Sequence, residues 1–215
     1  MAGNRRNKFK PPSLLDLQDR FSSEKDCAEF LFNRRWPDGF KCPRCGTEKC
    51  YPIKRRGLYE CAACRYQVSV TAGTVLHGTR TPLRLWFTAI FLMTTDKRGI
   101  SSVWLGKQLG VSQKRAWVML HKLRKAMAVR NGRYKLDGVV ELDESFFGAP
   151  KEGGCRGRGM AKQKVLVGLS LTKDGKPLHL RLQVLPSLDR AHLEPAIEDM
   201  VVPGATVRTN GLRSY

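Results

Sequence analysis

At 215 residues the chain has room for one large domain or two to three small ones. Lysine and arginine outnumber acidic residues 39 to 19, giving a formal charge of +20 and a pI near 10.1. With ordinary apolar content, that imbalance favours a polyanionic partner over a merely solubilising surface. An acidic membrane surface is the competing partner, but no long basic amphipathic helix supports it. The segment Met1 to Lys10 is polar and basic, which excludes a secretory signal. The most apolar stretch, Leu83 to Met93, is interrupted by Arg84 and too short to span a bilayer. A cytoplasmic protein that meets nucleic acid, with no membrane partner, is the expectation. Seven cysteines, an odd number, point to metal binding or plain thiols over a disulfide framework.

In chain order, residues 1–20 are expected to be a disordered basic arm. A helix follows over residues 24 to about 34, with Ser22 or Ser23 as N-cap and Phe30 and Leu31 on its apolar face; Trp36-Pro37-Asp38-Gly39 ends it. Tyr51, Ile53, Leu58 and Tyr59 suggest a short antiparallel ribbon, and residues 65–71 alternate as a further strand. Residues 82–96 read as a helix with Pro82 in its first turn. Two more helices are predicted over residues 102–109 and 112–127. After Asn131-Gly132 the pattern changes to strands at 138–145, 165–172 and 178–185, a helix at 190–202 and a strand at 206–209. The order is a cysteine module, a helical module, then β-β-β-α-β.

Cys42-Pro43-Arg44-Cys45 and Cys61-Ala62-Ala63-Cys64 are two C-x₂-C knuckles separated by fifteen residues. Four thiolates converging from two knuckles suit a tetrahedral zinc ion, and a filled coordination shell makes the site structural. Four coincidental buried or redox cysteines are the alternative, which the regular spacing disfavours. Cys27, Cys50 and Cys155 lack a partner at ligand spacing. They read as plain thiols, with Cys50 near enough to be a minor alternative ligand.

Residues 102–112 (SVWLGKQLGVS) followed by QKRAWVMLHKL have helix-turn-helix grammar. Gly110 supplies the turn, Val111 the buried turn residue and Ser112 the second N-cap. Ala116, Leu120, Leu123 and Met127 fall on one face and are expected in the core. Gln113, Lys114 and Arg115 are then left at the exposed end, where recognition helices meet base edges, with Lys122 and Lys125 near phosphates. A three-helix bundle with a solvated charged face is the competing reading.

Residues 138–145 (GVVELDES) form a buried-looking strand with carboxylates at its end. Such carboxylates are costly unless paired, and Mg²⁺ is a suitable partner. Strand alternation puts Glu141 and Asp143 on one face and points Glu144 away. A strand-end loop cap is the plain alternative for Asp143.

The run from Thr71 to Ile90 (TAGTVLHGTRTPLRLWFTAI) and the stretch from Val140 to Gly148 (VELDESFFG) resemble the insertion-sequence DDE transposases with an N-terminal zinc ribbon, the ISXO2-like type. The resemblance extends from about residue 20 to the last residue. It implies a multi-domain α+β chain: arm 1–20, N-terminal helix and zinc ribbon 21–78, helix-turn-helix 79–130, and an incomplete RNase H-like α/β domain 131–215. It also implies double-stranded DNA partners (the element's terminal inverted repeats), a homo-oligomer on DNA, nucleoid association, and Mg²⁺-dependent cleavage and strand transfer. Asp143 aligns with the first acid of the catalytic triad. In the strand at 207–211 (VRTNG), Asn210 stands where the family has aspartate. An amide offers one neutral oxygen where a bridging carboxylate offers two charged ones. The third acid is expected beyond the fourth strand, past the last residue.

The sequence therefore reads as a degenerate or truncated transposase copy that keeps DNA binding and has lost catalysis. The rivals are an active enzyme and a zinc-ribbon transcription regulator. Deamidation of Asn210 or a second chain would complete the site for the first of these. A further expectation is an uncovered apolar sheet face and poor order over residues 138–215. Residues 150–164, rich in glycine and basic side chains, read as a hairpin loop or a grip on DNA backbone.

Overall fold

The structure, a computed structural model, describes residues 12–96, 98–149 and 162–211. Residues 1–11 of the basic arm, Cys155 and most of the glycine-rich loop lie outside the described residues. The chain divides into two compact units, Met1–Ala126 and Met127–Tyr215.

The first unit opens with helix α1 (Leu14–Arg20), where a disordered arm was expected. A capping box explains the difference. Ser13 Oγ accepts from the Asp16 amide at 3.1 Å and the Asp16 carboxylate from the Ser13 amide at 2.7 Å. Leu17 then packs against Phe21, Phe30 and Phe87, whose rings meet edge-on with centroids 4.5 to 5.7 Å apart. Helix α2 (Glu24–Arg35) repeats the device with Ser23 and Asp26 and buries Cys27 completely. Trp36 stops it, donating its indole N–H to the Lys41 carbonyl at 3.0 Å.

Strands β1 (Cys50–Ile53), β2 (Leu58–Cys61) and β3 (Gln67–Ser69) form an antiparallel sheet in that order. Helix α3 (Leu83–Thr95) follows Pro82, which offers no side-chain cap. Glu24 caps it instead, its carboxylate accepting from the Leu83 and Arg84 amides at 2.8 and 2.9 Å. Helices α4 (Ser102–Leu109) and α5 (Gln113–Asn131) complete the layer around Trp86, Leu105, Met119 and Leu120. Ala116, Leu120 and Leu123 are buried as expected. Met127 is not: it is 48 % exposed, because the buried stripe of α5 ends at Leu123, and Met119 takes a core position instead.

In the second unit, β4 (Val139–Phe147), β5 (Gln163–Leu171) and β6 (Pro177–Leu185) run antiparallel. Helix α6 (Arg190–Met200) then returns the chain to β7 (Thr206–Thr209), which pairs parallel to β4. The sheet order is β6-β5-β4-β7. One face buries Val140, Leu142 and Leu166 against Leu193, Ala196 and Met200 of α6. Gly168 makes that approach possible, since a Cβ there would lie 2.4 Å from the Met200 sulfur. Arg181 is buried on this face with its guanidinium on the Tyr134 and Asp199 carbonyls at 3.1 and 2.8 Å and on the Asp199 carboxylate. Leu178, Leu180, Leu182 and Val184 of β6 are exposed, as the expected uncovered apolar face requires.

Candidate functional sites

The four cysteines come together because each knuckle closes the same turn. The Gly46 amide bonds the Cys42 carbonyl at 3.0 Å, and the Arg65 amide bonds the Cys61 carbonyl at 3.1 Å. Both turns need positive φ at that position, +77° at Gly46 and +58° at Arg65. Arg65 holds this left-handed backbone while its guanidinium pairs with Glu60 at 3.2 Å. The Sγ atoms of Cys42, Cys45, Cys61 and Cys64 all lie within 4.8 Å of one another, with Cys42–Cys64 at 3.6 Å and Cys45–Cys61 at 3.5 Å. A tetrahedron with zinc–sulfur bonds of about 2.3 Å has edges of about 3.8 Å, so the cluster fits one zinc ion. The Thr47 hydroxyl, 3.3 Å from Cys45 Sγ, and the Thr47 amide hold that thiol down to about 6, toward the thiolate a metal needs. Cys50 stands outside the cluster, and burial pushes its thiol up, as it pushes Cys27 to about 11.

The α4–α5 connection is a three-residue turn, Gly110-Val111-Ser112. Gly110 takes the left-handed conformation at φ +64°, and Ser112 Oγ accepts from the Arg115 amide at 3.3 Å. Gly106 brings the two helices close, since a Cβ there would sit 3.0 Å from the Val111 carbonyl. Val111 is half-buried against the core. Gln113, Lys114 and Arg115 are exposed on the first turn of α5, directly before buried Ala116. Lys125 is exposed as well. Lys122 is partly tied down, its ammonium donating to the His77 carbonyl at 3.1 Å.

The acidic site lies where β4 and β7 run side by side. Val140 and Leu142 face the α6 core, which leaves Glu141 and Asp143 exposed on the other face. Just past β7, Asn210 donates its side-chain amide N–H groups to Asp143 Oδ1 at 3.1 Å and to Glu144 Oε2 at 3.2 Å. Glu144 is thus part of the cluster, which corrects the expectation that it points away. Simple alternation misplaces it because its side chain reaches across to the residue after β7. Its other oxygen, Oε1, is buried and has no hydrogen-bond partner among the described residues. An orphaned buried carboxylate oxygen is expensive, and a cation would satisfy it. The donor set is two carboxylates and one amide.

No helix among the described residues is long and apolar enough to cross a membrane. Residues 22–67 match the transposase zinc-ribbon domain, and residues 135–215 match the ISXO2-like transposase domain. An uncharacterized protein in transposable element ISH50 of Halobacterium salinarum is 28 % identical over 216 aligned positions, covering 91 % of this chain and 70 % of the relative. No solved structure matches the chain. Both matched segments coincide with the sites built above: the first contains all four cysteines, the second Asp143, Glu144 and Asn210. The chain thus carries one segment similar to a transposase zinc-ribbon domain and one similar to an ISXO2-like transposase domain, and it resembles a protein of a transposable element along most of its length.

Proposed function

We propose that the chain binds the ends of its insertion element as duplex DNA through α4 and α5, and that its β4–β7 unit is catalytically silent. The observation that carries the binding reading is the first turn of α5. Gln113, Lys114 and Arg115 stand exposed above a buried stripe of Ala116, Met119 and Leu120, as in a helix-turn-helix recognition helix. Lys125 adds a phosphate contact, and Lys122 keeps donors to spare beside its bond to His77. The zinc ribbon is a structural platform, and a homo-oligomer on DNA follows from the family.

The silence of the second unit rests on Asn210. Three antiparallel strands, a helix and a fourth strand parallel to the first support an RNase H-like reading of this sheet. In that family reaction Mg²⁺ ions stabilise the charge that develops on the transferring phosphoryl group. Here Asp143 and Glu144 would hold a cation, and the orphaned Oε1 supports that role. At the position between them, however, an amide presents N–H donors to both carboxylates, where the family has a third charged acceptor. The residues fit one weakly held cation and do not fit two bridged ones. An element-end duplex and a scrambled duplex separate the outcomes in a fluorescence-anisotropy titration. The expected result is tighter binding to element ends, with Arg115→Ala losing about 1–3 kcal/mol of that preference. Equal affinity for both duplexes would contradict it.

A further inference from the structure

Two clefts in the unit Met1–Ala126 share one wall. The larger, about 1050 Å³, is lined by Lys54 and Arg56 from the turn between β1 and β2 and by residues 78–83. The smaller, about 360 Å³, is lined by residues 78–81 and by Lys114, Arg115 and Lys122 of α5. Arg80 lines both and is exposed.

The charge along this path is one-sided. No aspartate or glutamate lines the smaller cleft, and Glu24 is the one acid lining the larger. Both Glu24 carboxylate oxygens are already committed to the amides at the start of α3. Among the described residues, no ion pair involves Lys54, Arg56, Arg80, Lys114, Arg115 or Lys122. Cations lining shared clefts repel one another unless an anion joins them. A chain of phosphates is the anion that reaches from one cleft to the next, and the hydroxyl of Thr81 adds a donor along the shared wall.

We infer that residues 78–81, with Arg80 at their centre, form a phosphate-gripping junction at which the zinc ribbon and α5 engage one continuous run of duplex DNA backbone. This deepens the DNA-binding reading above and rests on it. Residues 78–81 fall outside both family-matched segments, and no periodic pattern in the sequence marks them.

The test is the salt dependence of binding by the full, zinc-loaded chain to a duplex of arbitrary sequence, because backbone contacts are blind to sequence. Arg80→Ala, Arg56→Ala and Lys122→Ala are each expected to weaken binding several-fold. Each lowers the slope of log affinity against log salt by about 1. Arg80→Lys restores the slope, and unchanged zinc content and circular dichroism show that each variant folds. If Lys122→Ala lowers the slope while Arg80→Ala and Arg56→Ala do not, the junction is overturned and the helix-turn-helix reading survives. Failure of the unsubstituted protein to bind any duplex overturns both.

Discussion

The cysteine site and the acidic site are built alike and finished differently. Each brings together donors from segments well separated in the sequence. At the cysteine site all four donors are cysteine sulfurs, and they lie within 4.8 Å of one another, close enough to share one zinc ion. At the acidic site the backbone delivers Asp143 and residue 210 to within hydrogen-bond distance, yet residue 210 is an amide whose N–H groups face the carboxylates. Geometry survives in both sites. The donors are of one kind in only the first, where four sulfurs suit a structural zinc ion, while the second sets an amide beside two carboxylates.

Removing the zinc is expected to have the largest effect. Structural zinc sites contribute about 10–16 kcal/mol of apparent folding free energy in small modules. Cys61→Ser or a strong chelator is expected to abolish hydrogen-exchange protection over β1–β3 while leaving β4–β7 protected. Loss of protection across both units would show that the second unit depends on the ribbon. Next in size is the core that carries the helix pair. Leu105→Ala, at a fully buried position in α4, is expected to cost about 2–5 kcal/mol in urea unfolding.

A smaller effect sharpens the contrast from the other side. Asn210→Asp replaces an amide with a carboxylate beside Asp143 and Glu144, and is expected to tighten Mn²⁺ binding by about tenfold, or about 1.4 kcal/mol. Calorimetric titration reads this directly, and Asp143→Ala in the same background removes the gain. Unchanged Mn²⁺ affinity would mean that residue 210 is not what limits the site. The smallest expected effect is at the α2 cap. Ser23 Oγ–H and the Ser23 amide hold the Asp26 carboxyl below its ordinary value of 3.8. A lowered folded-state pKa stabilises the fold above that ordinary value, and the contribution is lost as pH falls through the lowered one. Asp26→Asn should therefore lower the melting temperature at neutral pH and make progressively less difference in acid.

Much of this was legible in the sequence where a local rule governs. The C-x₂-C spacing located the zinc site, Gly110 and Ser112 located the helix pair, and β-strand and helix periodicity placed β4, α6 and β7 within a few residues. What stayed hidden depends on tertiary placement. Alternation predicted that Glu144 points away, because nothing local reveals that Asn210 reaches its side chain. The Ser13–Asp16 capping box was readable, but the aromatic cluster that holds α1 in place joins Leu17 to Phe87, far along the chain. Arg80 lies inside the run from Thr71 to Ile90 that carries the resemblance, but that run assigns it no role, and the shared wall of two clefts is what singles it out.

The most direct measurement is a combined binding and strand-transfer assay on labelled element-end DNA with Mg²⁺ or Mn²⁺, comparing this protein with Asp143→Ala. Equal DNA binding by both proteins, with no cleavage or joining products from either, is the expected result. Products from the unsubstituted protein that vanish in Asp143→Ala would contradict it, because the site would then be catalytic with asparagine at position 210.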